Sequence, residues 1–318
     1  MSDRESILIT GISGRLGRLV ARRLHRTHQV IGVDRRPFEG RPKDIPMYRL
    51  DIRRNQTEDV FRRHRIKAVC HLNVMHDPRK SVGDHHTFNV LGTQRILEWC
   101  HRWDVPKAVV LSSATTYGPR PENAQFLRED SALLAGQGFS EIRDLIELDM
   151  FTQGFFWKHP EIETVLLRPV HILGTVRNAA SNYLRLKTVP TMLGFDPMVQ
   201  IIHEEDVVTA IVKALRPGIR GVFNVTGPKP VPLSALIRAA GKPTVAVPAP
   251  LFAAAMRLMW RYKLTSFPAP ELDYLKYICM ADGALAREVL GFKYRHGVGD
   301  ILDAVLRGRV LRPEPTPA

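Results

Sequence analysis

A glycine-rich turn joins the first apolar run of the chain to the first amphipathic segment. The apolar run SILIT covers residues 6–10, and the turn after it reads GISGRLG, with glycines at 11, 14 and 17. Residues 15–26 continue with the spacing of an amphipathic helix. Because this spacing provides a tight turn, an open backbone and close helix packing at a helix N-terminus, it predicts a dinucleotide pyrophosphate site.

Short apolar runs alternate with amphipathic segments through much of the chain. Helices are predicted at 15–26, at 55–64, in a long segment that ends near 101, and at 139–157. Strands are predicted at 6–10, 28–34, 46–50, 67–72, 107–113, 163–169 and 221–227. This alternation predicts an α/β fold, a Rossmann doubly wound parallel sheet with helices on both faces. A ligand is expected at the carboxyl ends of the strands, where the strand order reverses.

The regular alternation stops after Pro169, which predicts a second, smaller C-terminal substrate lobe and a cleft between the two lobes. We assign the dinucleotide-binding Rossmann domain to residues 1–172, with a return segment at about 199–227. The smaller lobe comprises 173–198 and 228–311, and residues 312–318 are a loose tail.

The composition of the 318 residues is that of a soluble globular protein, with 44% apolar and 25% charged residues. Three widely separated cysteines, the lack of an apolar leader in residues 2–10 and the lack of a run of ~20 apolar residues favour a cytoplasmic location. The formal charge of +14 predicts affinity for anions such as nucleotide phosphates or an anionic membrane face. No nucleic-acid motif accompanies the basic clusters, which argues against a nucleic-acid partner.

The second predicted strand ends in Asp34, where an acidic side chain can bind the ribose hydroxyls of NAD. Arg35 and Arg36 follow directly, and a guanidinium in this place could pair with the 2′-phosphate of NADP instead. We favour NAD, and NADP stays as the alternative cofactor.

Motifs along nearly the whole chain resemble the extended short-chain dehydrogenase/reductase superfamily, whose fingerprint is T-G-x-x-G-x-x-G. The fingerprint occurs here as TGISGRLG. Further matching segments are LDI at 50–52, VCHLN at 69–73, NVLGT at 89–93, LSSATTYG at 111–118, LLRPVHILG at 166–174, VQIIHEEDVVTAIVKAL at 199–215 and LAREVLGFKY at 285–294. The likeness is to NAD-dependent epimerases and dehydratases of sugar nucleotides, of which UDP-galactose 4-epimerase is the best known.

The resemblance implies a cofactor site assembled from the glycine turn, the strand ends and the adjoining helices. Its residues in this chain are Gly11, Ser13, Gly14, Arg15, Leu16, Gly17, Asp34, Arg35, Asp51, Ile52, Leu72, Asn73, Asn89, Arg143 and Pro169.

The resemblance also implies a catalytic Ser or Thr after the fifth strand and a Tyr-x-x-x-Lys pair on the next helix. Ser113 matches the serine, but Phe139 stands at the tyrosine and Arg143 at the lysine. Phenylalanine has no exchangeable proton, and a guanidinium with a pKa above about 12 is no proton donor. Cofactor binding is therefore expected to survive more readily than the family's catalysis.

Two histidines are candidates for the missing proton transfer. His76 lies in the loop after the fourth strand, and His171 follows the Arg-Pro of the sixth strand. An imidazole titrates near neutrality, which suits acid or base chemistry, although either side chain could simply be hydrogen-bonded in the pocket. Tyr117 is expected to be structural. His71, His76, His85 and His86 fall on different elements, so no metal site is predicted.

The sequence is consistent with more than one substrate class and more than one kind of partner. Val199 stands where UDP-sugar relatives carry an arginine, which argues against a nucleotide sugar and leaves a lipid-like alcohol. Residues 250–264 combine apolar, aromatic and basic side chains, as in a packed helix or in a peripheral contact with the inner membrane face. The resemblance implies a homodimer through two long helices, here near 81–101 and 139–157.

Two functions are consistent with these observations. The first is an atypical NAD(P)-dependent epimerase/dehydratase-like oxidoreductase that transfers hydride at a carbinol carbon of a small-molecule substrate, with altered catalytic residues. The second is a catalytically silent dinucleotide-binding sensor or scaffold. The glycine turn, Asp34 and Ser113 fit both functions, and Phe139 favours the second.

Overall fold

A seven-stranded parallel sheet forms the centre of the N-terminal lobe in the computed structural model, which describes residues 5–74, 82–137, 140–262 and 269–307. Its strands are β1 (Ser6–Thr10), β2 (Gln29–Val33), β3 (Met47–Tyr48), β4 (Ile66–His71), β5 (Lys107–Leu111), β6 (Glu163–Pro169) and, at the edge, Gly221–Val225, which is β11 in chain order. The spatial order is β11-β6-β5-β4-β1-β2-β3. The order reverses between β1 and β4, as in a Rossmann fold, and the predicted fold class is confirmed.

Helices cover both faces of this sheet. They are α1 (Arg15–Leu24), α2 (Glu58–Arg63), α3 (Val82–His86), α4 (Gly92–Arg102), α5 (Ser140–Lys158) and, from the later chain, Glu204–Ala214, which is α7. Alternate residues of β1 separate the two cores: Ile7 and Ile9 belong to the core that includes α1 and α7, and Leu8 to the core that includes α4. The near-continuous apolar character of the strands follows from burial on both faces.

Three predicted elements differ from those in the structure. The strand predicted at 46–50 is only Met47–Tyr48, at the sheet edge. The helix predicted at 55–64 begins with a 3₁₀ turn at Asn55–Thr57 before α2. The long helix that ends near 101 is interrupted by a wider π-type turn at Thr87–Leu91, between α3 and α4.

The C-terminal part of the chain forms small sheets and helices around a core of its own. Its strands are β7 (His171–Leu173), β8 (Val189–Met192), β9 (Met198–Val199), β10 (Ile201–His203), β12 (Val231–Pro232) and β13 (Thr244–Val247). Its helices are α6 (Ala179–Leu184), α8 (Leu233–Ala239), α9 (Ala249–Arg261), α10 (Ala284–Glu288) and α11 (Val298–Arg307). Strands pair as β10-β7, β12-β9 and β13-β8. Within the described ranges, no helix is long and apolar enough to cross a membrane.

A buried ion pair joins the last strands of the sheet to α5. Both carboxylate oxygens of Asp149 accept hydrogen bonds from the Arg168 guanidinium, at 2.9 and 2.7 Å. Arg168 also donates to the Tyr117 hydroxyl at 2.8 Å, and this hydroxyl donates to Asn224. Burial raises the pKa of Tyr117 to about 12, so the phenol stays protonated. Tyr117 is therefore a structural residue, as expected.

We predict that Asp149→Ala lowers the free energy of unfolding by ~3–5 kcal/mol, because the buried guanidinium of Arg168 would lose its counter-charge. Urea unfolding measures the change. Asp59→Ala is the matched control, since Asp59 pairs with Arg62 at 3.0 Å on the exposed side of α2; it should cost ~1 kcal/mol or less. Equal effects for the two variants would contradict the structural role given to Asp149.

Candidate functional site: a cleft between the glycine turn and the C-terminal lobe

A cleft of about 480 Å³ opens at the carboxyl ends of β1, β4, β5 and β6. On one side the glycine turn lines it. On the other side it is lined by residues of β7, β9, β10, α6 and α8. Of the predicted cofactor and catalytic residues, those at its wall are Gly11, Gly14, Arg15, Leu16, Gly17, Leu72, Asn73, Ser113, Pro169 and His171. The sequence placed the ligand site at this edge of the sheet, and the largest part of the predicted set meets there.

The glycine turn needs its glycines because other backbone approaches it closely. Gly11 has φ of +76°, and a Cβ atom there would lie 3.0 Å from Asn73 Cα. A Cβ atom on Gly17 would lie 2.3 Å from the Gly11 carbonyl oxygen, shorter than any tolerable contact. Gly14 precedes the first residue of α1, and no side chain caps this end of the helix. The positive end of the helix therefore faces the cleft with backbone amides, an arrangement suited to an anion.

The carboxylate of Asp34 holds the turn in place from the end of β2. It accepts hydrogen bonds from the Ser13 amide at 3.1 Å and from the Arg36 amide at 2.9 Å, and Asp34 is 4% exposed. The Ser13 hydroxyl donates to the Arg36 carbonyl oxygen. Arg36 lines the cleft, and its side chain is 69% exposed. Of the two arginines named from the sequence, Arg36 therefore faces the cleft.

Seven predicted cofactor residues are not among those that line this cleft, and Ser13 and Asp34, described above, are two of them. Asp51 accepts four hydrogen bonds from Arg53, and Arg35 lies over the Phe88 ring with its guanidinium 3.7 Å from Asp51. Burial by itself would raise the pKa of Asp51, but these hydrogen bonds and the charges of both arginines outweigh it and lower the pKa. The other three are placed as follows: Ile52 and Asn89 are buried, and Arg143 is exposed on α5.

Arg15 links the turn to the C-terminal lobe. It donates hydrogen bonds of 3.1 and 2.7 Å to the carboxylate of Glu204, the first residue of α7. The buried Glu204 side chain also accepts from the Thr175 hydroxyl at 2.8 Å and from the Val176 amide at 3.0 Å. One carboxylate therefore fixes the entrance of α1 and the loop before α6 in a common position at the cleft.

Ser113 lies two residues after β5, and Thr115 connects it to Tyr274, which the sequence did not identify. Its Oγ accepts hydrogen bonds from the Thr115 amide at 3.2 Å and from the Thr115 hydroxyl at 2.8 Å. The Tyr274 hydroxyl donates to the Thr115 carbonyl oxygen at 2.7 Å, and the Tyr274 ring meets His171 edge-on, with ring centres 5.6 Å apart. Tyr274 is far from Ser113 in sequence and belongs to no motif, so only the tertiary structure reveals it.

The near-neutral pKa expected for the His171 imidazole does not hold in the folded chain. Burial lowers the pKa of His171 to about 4, so the imidazole is neutral at pH 7 and a weak base. Burial lowers the pKa of His71 to about 4 as well. His71 is hydrogen-bonded to Thr10 at 2.6 Å and to Thr93 at 2.9 Å, which explains it as a structural residue at the end of β4.

Two predicted positions, His76 and Phe139, lie outside the described residues. The described part of α5 lines the cleft with Ile142 and Leu145. His85 is buried and also lines the cleft.

Two groups of acidic and imidazole side chains come close together elsewhere in the described chain. They are His86 with Asp144 and Glu147, and His101 with His159 and Glu161; in each group the candidate ligand atoms lie within 4.8 Å of one another. Hydrogen bonds of 3.1 Å, from His86 to Asp144 and from His159 to Glu161, account for this proximity without a metal ion.

Several known proteins are similar to this chain in sequence. Residues 7–139 match the model of the NAD dependent epimerase/dehydratase family. An uncharacterized protein of Mycobacterium tuberculosis (strain ATCC 25618 / H37Rv) is 28% identical over 320 residues, which covers 96% of this chain and 85% of that protein. The UDP-glucose 4-epimerase of Halalkalibacterium halodurans is 33% identical over 120 residues, 36% of each chain.

Solved structures share the fold over nearly the whole chain. The UDP-Glc/GlcNAc 4-epimerase of Campylobacter jejuni has a TM-score of 0.75 at 15% identity, over 95% of this chain and 98% of its own. The UDP-glucuronic acid 4-epimerase of Bacillus cereus, in complex with UDP-glucuronic acid and NAD, has a TM-score of 0.72 at 18% identity, over 94% and 97%. Residues 7–139 thus match the NAD dependent epimerase/dehydratase family, and the fold shared with these solved structures extends over nearly the whole chain.

We predict that Gly17→Ala destabilises the protein by ~1–3 kcal/mol, because the new methyl group would overlap the Gly11 carbonyl oxygen. The matched control is Gly154→Ala in the middle of α5, where a Cβ atom meets nothing within 4 Å. Alanine has the better helix propensity, so this control should gain up to ~1 kcal/mol. Thermal and urea unfolding report both changes, and two shifts of the same sign would contradict the close approach.

We predict that His71 and His171 stay neutral down to about pH 5 in the folded chain. Folding lowers the pKa of each imidazole from the ordinary value of 6.5 to about 4. The unfolded state therefore binds more protons than the folded state between these two pH values. The free energy of unfolding should therefore fall as the pH is lowered through this interval. Titration of the imidazole carbon signals by NMR checks the two residues, and a midpoint near 6.5 for either one would refute its burial.

Proposed function

We propose that the cleft binds NAD, with the pyrophosphate against the backbone amides at the start of α1. The observation that carries this proposal is the turn itself: Gly17 lets α1 pack against Gly11, and Gly14 leaves the helix end open to the cleft. The residues present therefore fit a dinucleotide. The similarity to epimerases whose structures hold NAD supports the same cofactor.

Asp34 and Arg36 bear on the choice between the two nicotinamide cofactors. Asp34 lies next to the turn, where an acid favours the ribose hydroxyls of NAD. Arg36 is exposed at the wall of the cleft, where its charge suits the 2′-phosphate of NADP. We propose NAD as the principal cofactor because the Asp34 carboxylate disfavours a second anion beside it, and NADP as the alternative.

For the reaction, we propose hydride transfer at a carbinol carbon of a sugar nucleotide or a lipid-like alcohol. NAD, when bound, supplies the hydride acceptor. In the oxidation direction the substrate hydroxyl loses its proton to a base, and the carbon loses its hydride to the cofactor. Ser113 lies at the cleft wall and is proposed to hydrogen-bond the substrate oxygen, held in position by Thr115.

Two histidines are the candidates for accepting the proton that leaves the substrate hydroxyl. His171 is neutral and, with a pKa of about 4, is suited to hydrogen bonding with the substrate more than to storing a proton. His76 remains the sequence-based candidate for the proton, in place of the tyrosine that Phe139 replaces. Arg143 is exposed and off the cleft wall, so its proposed place beside the ribose lacks support from the described geometry.

A catalytically silent dinucleotide-binding sensor or scaffold is the second candidate function. Phe139 at the tyrosine position removes the family's proton carrier, and the position of Arg143 off the cleft wall removes the partner group. The glycine turn and Asp34, which serve binding alone, are intact.

Two partner surfaces are proposed on exposed apolar side chains. Met150 and Trp157 of α5 are 61% and 78% exposed, which supports a homodimer through the long helices. Leu258 and Tyr262, at the end of α9, are 57% and 65% exposed, which supports a peripheral contact of a cytoplasmic protein with the inner membrane face.

We predict that NAD binds the purified protein and that Gly14→Leu lowers the affinity for NAD by about tenfold or more. A side chain at this position would occupy the place of the pyrophosphate. Gly299→Leu is the control, on an exposed turn of α11 with nothing within 4 Å of its Cβ position. Isothermal titration calorimetry measures both. The proposal fails if wild-type protein binds neither NAD nor NADP in either oxidation state.

The same samples separate the enzyme from the silent protein. Absorbance of reduced nicotinamide and NMR of the substrate, which detects redox-neutral epimerisation, are followed with a panel of sugar nucleotides, alcohols and ketones, using wild type and Ser113→Ala. Turnover that is lost in Ser113→Ala, while NAD affinity is kept, identifies the enzyme. Tight NAD binding with no turnover over the whole panel identifies the sensor or scaffold.

A further inference from the structure

We propose that the C-terminal half of the cleft binds an apolar alcohol or ketone and that a nucleotide sugar is a poor ligand. The proposal rests on the proposed NAD site, because the ligand's oxygen would lie beside Ser113, close to that site. It goes further by choosing between the two substrate classes that the reaction leaves open. Three features of the cleft carry it: its aliphatic wall, its cations and the hydrogen-bond partners of its polar side chains.

Aliphatic side chains form one wall of this half. Val199 and Ile201 line it from β9 and β10, Leu233 and Leu236 from the first turns of α8, and Leu275 from the chain before Lys276. Four of these, all except Val199, belong to the buried core of the C-terminal lobe, and Val199 packs against that core. The cleft therefore continues into an apolar interior, where burial of hydrocarbon is favourable and burial of a charged diphosphate is costly.

The cations near this half are few and mostly occupied. Arg15 is paired with Glu204, and the Arg185 guanidinium donates to the carbonyl oxygens of Gly174, Val176 and Val305. Among the described side chains that line the C-terminal half, Arg177 is the one positively charged group, and it is exposed in the loop before α6. A nucleoside diphosphate would place two negative charges near this single exposed guanidinium and against the aliphatic wall.

Gln200 lies between the wall residues Val199 and Ile201 in sequence, and its side chain is hydrogen-bonded to the backbone of Ala281. The Gln200 amide nitrogen donates to the Ala281 carbonyl oxygen at 3.0 Å, and its amide oxygen accepts from the Ala281 amide at 2.7 Å. Both ends of this side chain are therefore used by the backbone of the C-terminal lobe. Gln200 has little capacity left to recognise a base or a sugar.

Polar side chains occur along the cleft, and those next to the aliphatic wall bond to the protein: Asn178 donates to the Ile172 carbonyl oxygen, and Tyr183 donates to the Pro190 carbonyl oxygen. Ser113, Thr115, His171 and Tyr274 also line the cleft, and Thr115 is hydrogen-bonded to both Ser113 and Tyr274. This distribution suits a molecule with one hydroxyl or carbonyl oxygen and an apolar body. The oxygen would lie near Ser113, and the body against the aliphatic wall.

The experiment is a calorimetric titration of NAD-saturated protein with 2-octanone and, separately, with UDP-glucose. Wild type should bind 2-octanone measurably, and UDP-glucose should bind at least about tenfold more weakly. Val199→Arg places a charge in the apolar wall, and Ala180→Leu fills space beside it, since both residues line the cleft. Each should weaken 2-octanone by about tenfold or more without changing the affinity for NAD.

Val245→Arg is the matched control, because Val245 is 52% exposed on β13 and is not a residue of the cleft wall. It should leave the affinity for 2-octanone unchanged. UDP-glucose binding more tightly than 2-octanone would overturn the inference, as would equal 2-octanone affinity in all variants. If wild type fails to bind NAD, the proposed function fails, and 2-octanone titrated into cofactor-free protein with the same variants still decides whether the pocket accepts an apolar ligand.

Discussion

The contact between the first helix and the turn that precedes it is the constraint on which the rest of the site depends. Gly17 brings α1 so close to the Gly11 carbonyl that no side chain fits between them. This approach aims the uncapped end of α1 at the carboxyl edge of the sheet. Asp34 then fixes the turn through the Ser13 and Arg36 amides, so that the end of β2 and the start of α1 form one rigid wall.

A second constraint decides how the other wall meets the first. Glu204 binds Arg15 of the turn together with Thr175 and Val176 of the loop before α6. These hydrogen bonds surround a buried carboxylate, and a buried carboxylate is costly unless it is paired. Glu204, which is not one of the residues lining the cleft, therefore connects the glycine turn on one side with the loop before α6 on the other.

The site combines a glycine turn suited to a dinucleotide with hydrogen-bonded side chains around Ser113. Thr115 bonds to Ser113 and accepts from the Tyr274 hydroxyl, and the Tyr274 ring meets His171 edge-on. The resemblance puts Phe139 at the position of the family's catalytic tyrosine. That substitution and the aliphatic wall of the cleft are the grounds on which we propose a changed substrate class.

The sequence by itself determined the fold class, the positions of most sheet strands and the glycine turn that lines the cleft, because strand periodicity, helix periodicity and glycine spacing are local properties. Only the tertiary structure decided which side chains face the cleft and in what charge state. His171 shows why: its titration depends on burial by distant elements, including the Tyr274 ring, and no neighbour in sequence reports that burial. Arg35 and Asp51 show the same limit, since their mutual pairing with Arg53 follows from side-chain packing between separate elements.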